Sequence, residues 1–98
     1  MERGLPLLAA LALAASPIHA ELVEGGFQVV ITMAGHDCAA IERTQPIATL
    51  ASGDTLVGVA CKGGDRYVVR IHKDNSISYM TPCSELKSRT GISCFGSR

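Results

Sequence analysis

Apolar positions fall into three regimes along the chain, and each predicts a different kind of segment. The first is a solid block. Leu5 to Ala15 is an almost uninterrupted run of Leu and Ala behind a short head carrying Arg3, followed by Ser16, Pro17, Ile18, His19 and Ala20. A charged head, a short apolar run and a small-residue end have the form of a secretory signal peptide. Residues 1–20 are therefore read as a signal peptide cut after Ala20, although Ile18 is bulkier than the residue usual two places before a cut. A spanning helix takes about 20 apolar residues. The run has fewer and no later stretch comes close, so no transmembrane segment is expected in the mature chain and the mature protein is expected to be soluble.

The second regime is periodic. Glu21 to Gly26 reads as a polar, mobile leader, with order beginning near Phe27. Phe27, Val30, Ile31, Ala34, Cys38 and Ile41 follow the spacing of one helix face, while Phe27, Val29, Ile31 and Met33 alternate as a strand would. The β-branched run Val29-Val30-Ile31-Thr32 favours a strand, and Gly35 weakens a helix by about 1 kcal/mol relative to Ala. The helical pattern runs on through Ile41 and Glu42, where the alternation stops. The balance predicts a helix over residues 27–43 with Gly35 as its weak point.

The third regime, from Thr44 to Thr81, is alternation punctuated by turn residues, the pattern of an antiparallel meander. Strands are predicted at Pro46–Ala51, Thr55–Cys61, Arg66–Lys73 and Ile77–Thr81. Gly63-Gly64 reads as a two-residue hairpin loop, since glycine accepts the positive φ such turns need. That loop sets Ala60 against Tyr67, Gly58 against Val69 and Leu56 against Ile71, and makes this the core face. For the next hairpin, a three-residue turn through Ser76 sets Ile71 against Tyr79 and is preferred. Beyond Pro82, Ser84 is positioned to cap a short helix that Gly91 ends, and Cys94 and Phe95 tuck back.

Length and cysteines add covalent constraint. Removing 20 of 98 residues leaves 78, room for one domain over residues 21–98. At that size only about 60–65% of the surface is buried on folding. Cys38, Cys61, Cys83 and Cys94 all lie in the mature part, an even number that suits disulfides in an oxidising compartment. In the predicted register Cys61 and Cys83 face opposite sides of the sheet and lie two strands apart. Strands about 4.8 Å apart put them about 9.5 Å from one another, beyond the roughly 7 Å reach of a bridge. The expected pairing is therefore Cys38–Cys61 with Cys83–Cys94.

Charge narrows the partners. Lys and Arg number 9 against 9 Asp and Glu, so the basic excess of a nucleic-acid binder is missing. No nucleic-acid partner is expected. The cysteine spacing lacks the close pairs of a zinc site and contains no redox or haem motif, so no metal and no cofactor are expected. His36-Asp37-Cys38 looks like a compact reactive cluster, but neighbours on a helix point about 100° apart, and Cys38 is assigned to a disulfide. Gly63-Gly64 is turn chemistry without the residues of a phosphate loop. Tyr67 and Tyr79 are assigned to the core.

One strip remains. Arg66, Arg70 and His72 share one side of the third strand, a candidate site for a phosphate or carboxylate. Val57, Val59 and Val68 are placed on the same side, more apolar than a solvated face requires. The chain is thus expected to be a small disulfide-stapled α+β domain with an N-terminal helix, a three- or four-stranded antiparallel meander and a short C-terminal helix. Its expected role is that of a periplasmic or secreted, non-enzymatic binding module for an envelope protein or a small anionic ligand. The alternative is a small periplasmic enzyme or inhibitor using the surface around His36 and His72.

Overall fold

The computed structural model describes residues 23–96; the expected signal peptide and its cleavage site lie outside the described residues. A helix, α1 (residues 23–33), leads into four strands, β1 (Ile41–Thr49), β2 (Thr55–Cys61), β3 (Arg66–Ile71) and β4 (Ile77–Pro82), and a second helix, α2 (Cys83–Thr90). The strands form one antiparallel sheet in the order β1-β2-β3-β4. The α+β class, the meander and both helices stand as expected from the sequence.

α1 begins earlier and ends sooner than its pattern implied. Residues 23–26, expected as a mobile leader, are helical, and Phe27 and Ile31 are buried against the sheet. The helix stops at Gly35 because that residue takes a left-handed conformation, φ 93°. The turn closes with Gly35 N–H donating to Thr32 O and His36 N–H to Ile31 O, a glycine termination that satisfies two end carbonyls. Ile41 and Glu42, expected in the helix, instead open β1, with Ile41 opposite Cys61. The chain between them is held by Gln28, whose Nε2 donates to the carbonyls of Cys38 and Ala39 at 2.8 and 2.9 Å. β1 is a sheet edge interrupted by two register shifts and by Pro46, the position in a sheet where a residue without N–H is tolerated.

The three hairpins share one design. Leu50 N–H donates to Asp54 O, Cys61 N–H to Asp65 O, and His72 N–H to Ser76 O, all at 2.8 Å. Each encloses a three-residue loop whose last residue is left-handed: Gly53, Gly64 and Asn75. The Gly63-Gly64 loop is therefore one residue longer than expected, and the register of β2 on β3 moves by one. Val59 opposes Tyr67, Val57 opposes Val69, and Ala60 opposes Arg66. Because side chains alternate, that slip exchanges the faces. The β3–β4 loop has the expected three residues but starts one position earlier, at Lys73, so Ile71 faces Ile77 and Tyr79 faces Val69. Tyr79 remains on the expected side.

Both faces of the sheet are covered. On one, Phe27 and Ile31 of α1 pack over Val57, Val59, Tyr67 and Val69. On the other, Leu86 of α2 with Cys94 and Phe95 packs over Leu56, Ala60 and Val68. Val57 and Val59 thus lie opposite the arginine side, contrary to expectation, and only Val68 of the three valines shares it. β2 tapers on this second face from Leu56 through Gly58 to Ala60. A Cβ at Gly58 would come within 3.0 Å of the Cys94 carbonyl oxygen, so the missing side chain is what lets the C-terminal segment lie on the sheet.

The two disulfides are Cys38–Cys61 and Cys83–Cys94, with Cα separations of 5.2 and 5.8 Å. The pairing agrees with the sequence argument although both cysteines on which it turned exchange faces. Cys61 joins the α1 side and Cys83 the α2 side. They remain on opposite sides, which is all the exclusion required. α2 differs from its expected start. Pro82, at φ −65° and ψ 152°, is the capping residue and supplies no side-chain bond, and Ser84 lies inside the helix. β4 runs directly into α2, so the capping position falls on Pro82, which has no hydroxyl to offer. Gly91 ends the helix as expected, at φ 79° with its N–H on Lys87 O.

Candidate functional site

The expected strip divides into two unlike ends. Arg66, Arg70 and His72 do lie along the α2 side of the sheet, but each has its own neighbours. At one end, Ala60 is flanked by Arg43 on β1 and Arg66 on β3. Its small side chain leaves room for the Phe95 ring. The guanidinium carbons of Arg43 and Arg66 sit 4.5 and 5.3 Å from the ring centroid, within cation–π range. Beside them, Arg66, Ser84, Lys87 and Ser93 line a cavity of about 400 Å³ floored by the Cys83–Cys94 bridge and Phe95. Among the described residues no carboxylate side chain lines it. The Lys87 ammonium donates to Ser93 Oγ at 3.4 Å, and the acid of the first turn of α2, Glu85, is engaged by Arg89 at 3.2 Å.

The other end is built on Asp54, which lies between the predicted strands Pro46–Ala51 and Thr55–Cys61. It is the buried charged side chain of the described residues, 7% exposed. Its Oδ1 accepts the Lys73 N–H at 3.0 Å and its Oδ2 accepts Arg70 Nε at 2.8 Å. His72 Nδ1 lies 3.3 Å from the same Oδ2. The carboxylate therefore ties the β1–β2 loop to the β3–β4 loop. The hydrogen bond from Arg70 holds the Asp54 carboxyl below its usual range, outweighing the opposing effect of burial. His72 Nε2 is 2.9 Å from Ser78 Oγ. Arg70 and His72 are thus committed to an internal carboxylate, and Arg66 alone of the three candidates faces the cavity.

His36-Asp37-Cys38 does not converge. His36 packs between two tyrosines, 5.1 Å from the Tyr67 ring and 4.9 Å from that of Tyr79, while Cys38 is in its disulfide. Burial pushes both phenols above their usual range, helped at Tyr67 by the charges of Asp65 and Asp37 and at Tyr79 by Tyr67. His36 and Asp65 line a second cavity of about 450 Å³, which also takes in Arg66 and Ser84. No group of three or more potential metal ligands occurs among the described residues, and no helix there is long and apolar enough to cross a membrane. Two disulfides without a free cysteine among the described residues are compatible with an oxidising compartment.

Arg43, Lys87, Asp54 and Ser78 are the site residues that sequence reasoning missed. Arg43 was assigned to a helix end and Lys87 to a helix surface. Asp54 precedes Leu56 by two residues, which puts it on the arginine side only in the observed register, where Leu56 opposes Arg70; the predicted register turns it away. Family models, curated proteins and solved structures contain no match to this chain.

Proposed function

We propose that the protein is exported to the periplasm or beyond and serves as a binding module for a small ligand carrying a carboxylate or phosphate. The signal-like residues 1–20 and the two disulfides support the location. The observation that carries the ligand class is the cavity lined by both Arg66 and Lys87, with no acidic side chain among the described residues of its lining. Its volume of about 400 Å³ lies in the range of small-molecule sites, roughly 300–1,000 Å³. Arg43, across Phe95 from Arg66, adds positive potential, and a guanidinium offers paired donors that match a carboxylate or phosphate edge. Ser84 and Ser93 supply hydroxyl donors at the same wall.

Pyrophosphate and citrate are suitable probes, titrated into the disulfide-bonded protein at constant ionic strength and followed by amide chemical-shift mapping. Shifts should concentrate at residues 66, 84, 87 and 93–95. Arg66→Ala combined with Lys87→Ala should weaken binding at least tenfold. Unchanged affinity in that variant, or shifts spread evenly over the surface, would refute the assignment.

A further inference from the structure

The far end of the same sheet face carries a constellation that anion binding does not use. Ser78 Oγ lies 2.9 Å from His72 Nε2, and His72 Nδ1 lies 3.3 Å from Asp54 Oδ2. The imidazole is hydrogen-bonded to the hydroxyl on one side and lies within ion-pair distance of the carboxylate on the other. An ionised carboxylate can only accept, so Asp54 favours the neutral tautomer with the proton on Nδ1, in which Nε2 accepts from the Ser78 hydroxyl. Asp54 is itself fixed by the Lys73 N–H and by Arg70, so the orienting group is rigid. A nucleophile and a base within hydrogen-bond reach, the base held by a third group, is the geometric signature of an activated hydroxyl.

We propose that Ser78 is a nucleophile for acyl transfer from small carboxylic esters, with His72 as its general base and Asp54 as the group that positions the imidazole. The three belong to three segments, the β1–β2 loop, the β3–β4 hairpin and β4, which the matching hairpin loops bring together. In the first step Ser78 Oγ bonds to the acyl carbon while its proton passes to His72 Nε2. The bond to the alcohol oxygen then breaks, and the alcohol leaves with that proton. Water next gives a proton to His72 and adds to the acyl carbon; the carboxylic acid departs and Ser78 Oγ recovers the proton. Arg70, opposite Ser78 in the register, is paired with Asp54 and holds that carboxylate in place.

A network that only ties loops together would hold the same distances without reactivity, so the test reads reactivity. The disulfide-bonded protein is treated with an alkyl fluorophosphonate, which phosphonylates an activated serine with loss of fluoride, and the adduct is mapped by mass spectrometry. An adduct on Ser78, absent from the other serines, is expected. It should disappear in Ser78→Ala and form at least a hundredfold more slowly in His72→Gln, in line with the 10²–10⁴ range of general-base catalysis. Hydrolysis of 4-nitrophenyl acetate should fall in both variants, with a cooperative thermal unfolding transition required of each to verify that it is folded. Absence of an adduct on Ser78, or an adduct rate unaltered by His72→Gln in the folded protein, would overturn the proposal.

Discussion

Gly58 shows how one missing side chain sets the relation between a sheet and its cover. Its position on β2 would place a Cβ 3.0 Å from Cys94 O and 3.1 Å from Cys94 Cβ. Cys94 cannot retreat freely, because it is tied to Cys83. Gly58→Val is expected to lower stability by about 1–3 kcal/mol, the usual cost of overpacking, seen as a shift in the urea midpoint. The taper from Leu56 to Ala60 is visible in the sequence, but its partner, a segment more than thirty residues later, is not. Asp54 supports a second prediction at this scale. Arg70, His72 and the Lys73 N–H all face its carboxylate, and its carboxyl is held below the usual range chiefly by Arg70. A depressed folded pKa gives stability that is complete above the unfolded value of about 3.9 and is lost as pH falls through the folded value. Asp54→Asn should therefore be destabilising at pH 6, and its deficit in urea midpoint should shrink by pH 3. A deficit independent of pH would remove the ionised carboxylate from the account.

At the scale of elements, the three hairpins explain both what the sequence showed and where it misled. Turn residues marked all three loops, and strand β2 was bounded correctly because Asp54 and Lys62 flank a continuous apolar run. Register was not legible for the same reason. Leu56, Val57, Val59 and Ala60 are all buried, so neither face of β2 reads as polar, and alternation cannot choose between registers one residue apart. α1 failed at its C-terminal end because Ile41 continues the helical spacing by accident of its strand position, while Gly35 had already ended the helix. The candidate strip was legible as a face but not as a site, since neither Asp54 nor Phe95 adjoins it in sequence. The loops also differ in one testable way. Asn75 holds the left-handed position, φ 75°, that Gly53 and Gly64 hold in the other two. Asn is one of the few residues that visits this region readily. Asn75→Gly should change stability by less than about 0.5 kcal/mol, because relief of φ is offset by added freedom in the unfolded chain. Asn75→Val should cost about 1–2 kcal/mol, and chemical denaturation distinguishes the two.

For the whole molecule, the sheet separates two apolar clusters, and each disulfide fastens the cover on one side. Cys38–Cys61 joins the segment after α1 to the end of β2, within the cluster of Phe27 and Ile31. Cys83–Cys94 joins the start of α2 to the C-terminal segment, within the cluster of Leu86 and Phe95. Sequence separations of 23 and 11 give each bridge about 3 kcal/mol in the chain-entropy model, a large share of the stability of so small a chain. Since the clusters do not share a face, loss of one bridge should act first on its own cover. In Cys83→Ser/Cys94→Ser, amide hydrogen exchange should accelerate in α2 and residues 91–96 more than in α1. In Cys38→Ser/Cys61→Ser, the larger acceleration should fall on residues 27–41. Exchange that rises uniformly in either variant would mean that the two covers unfold as one unit with the sheet, and that the bridges act only through the unfolded chain.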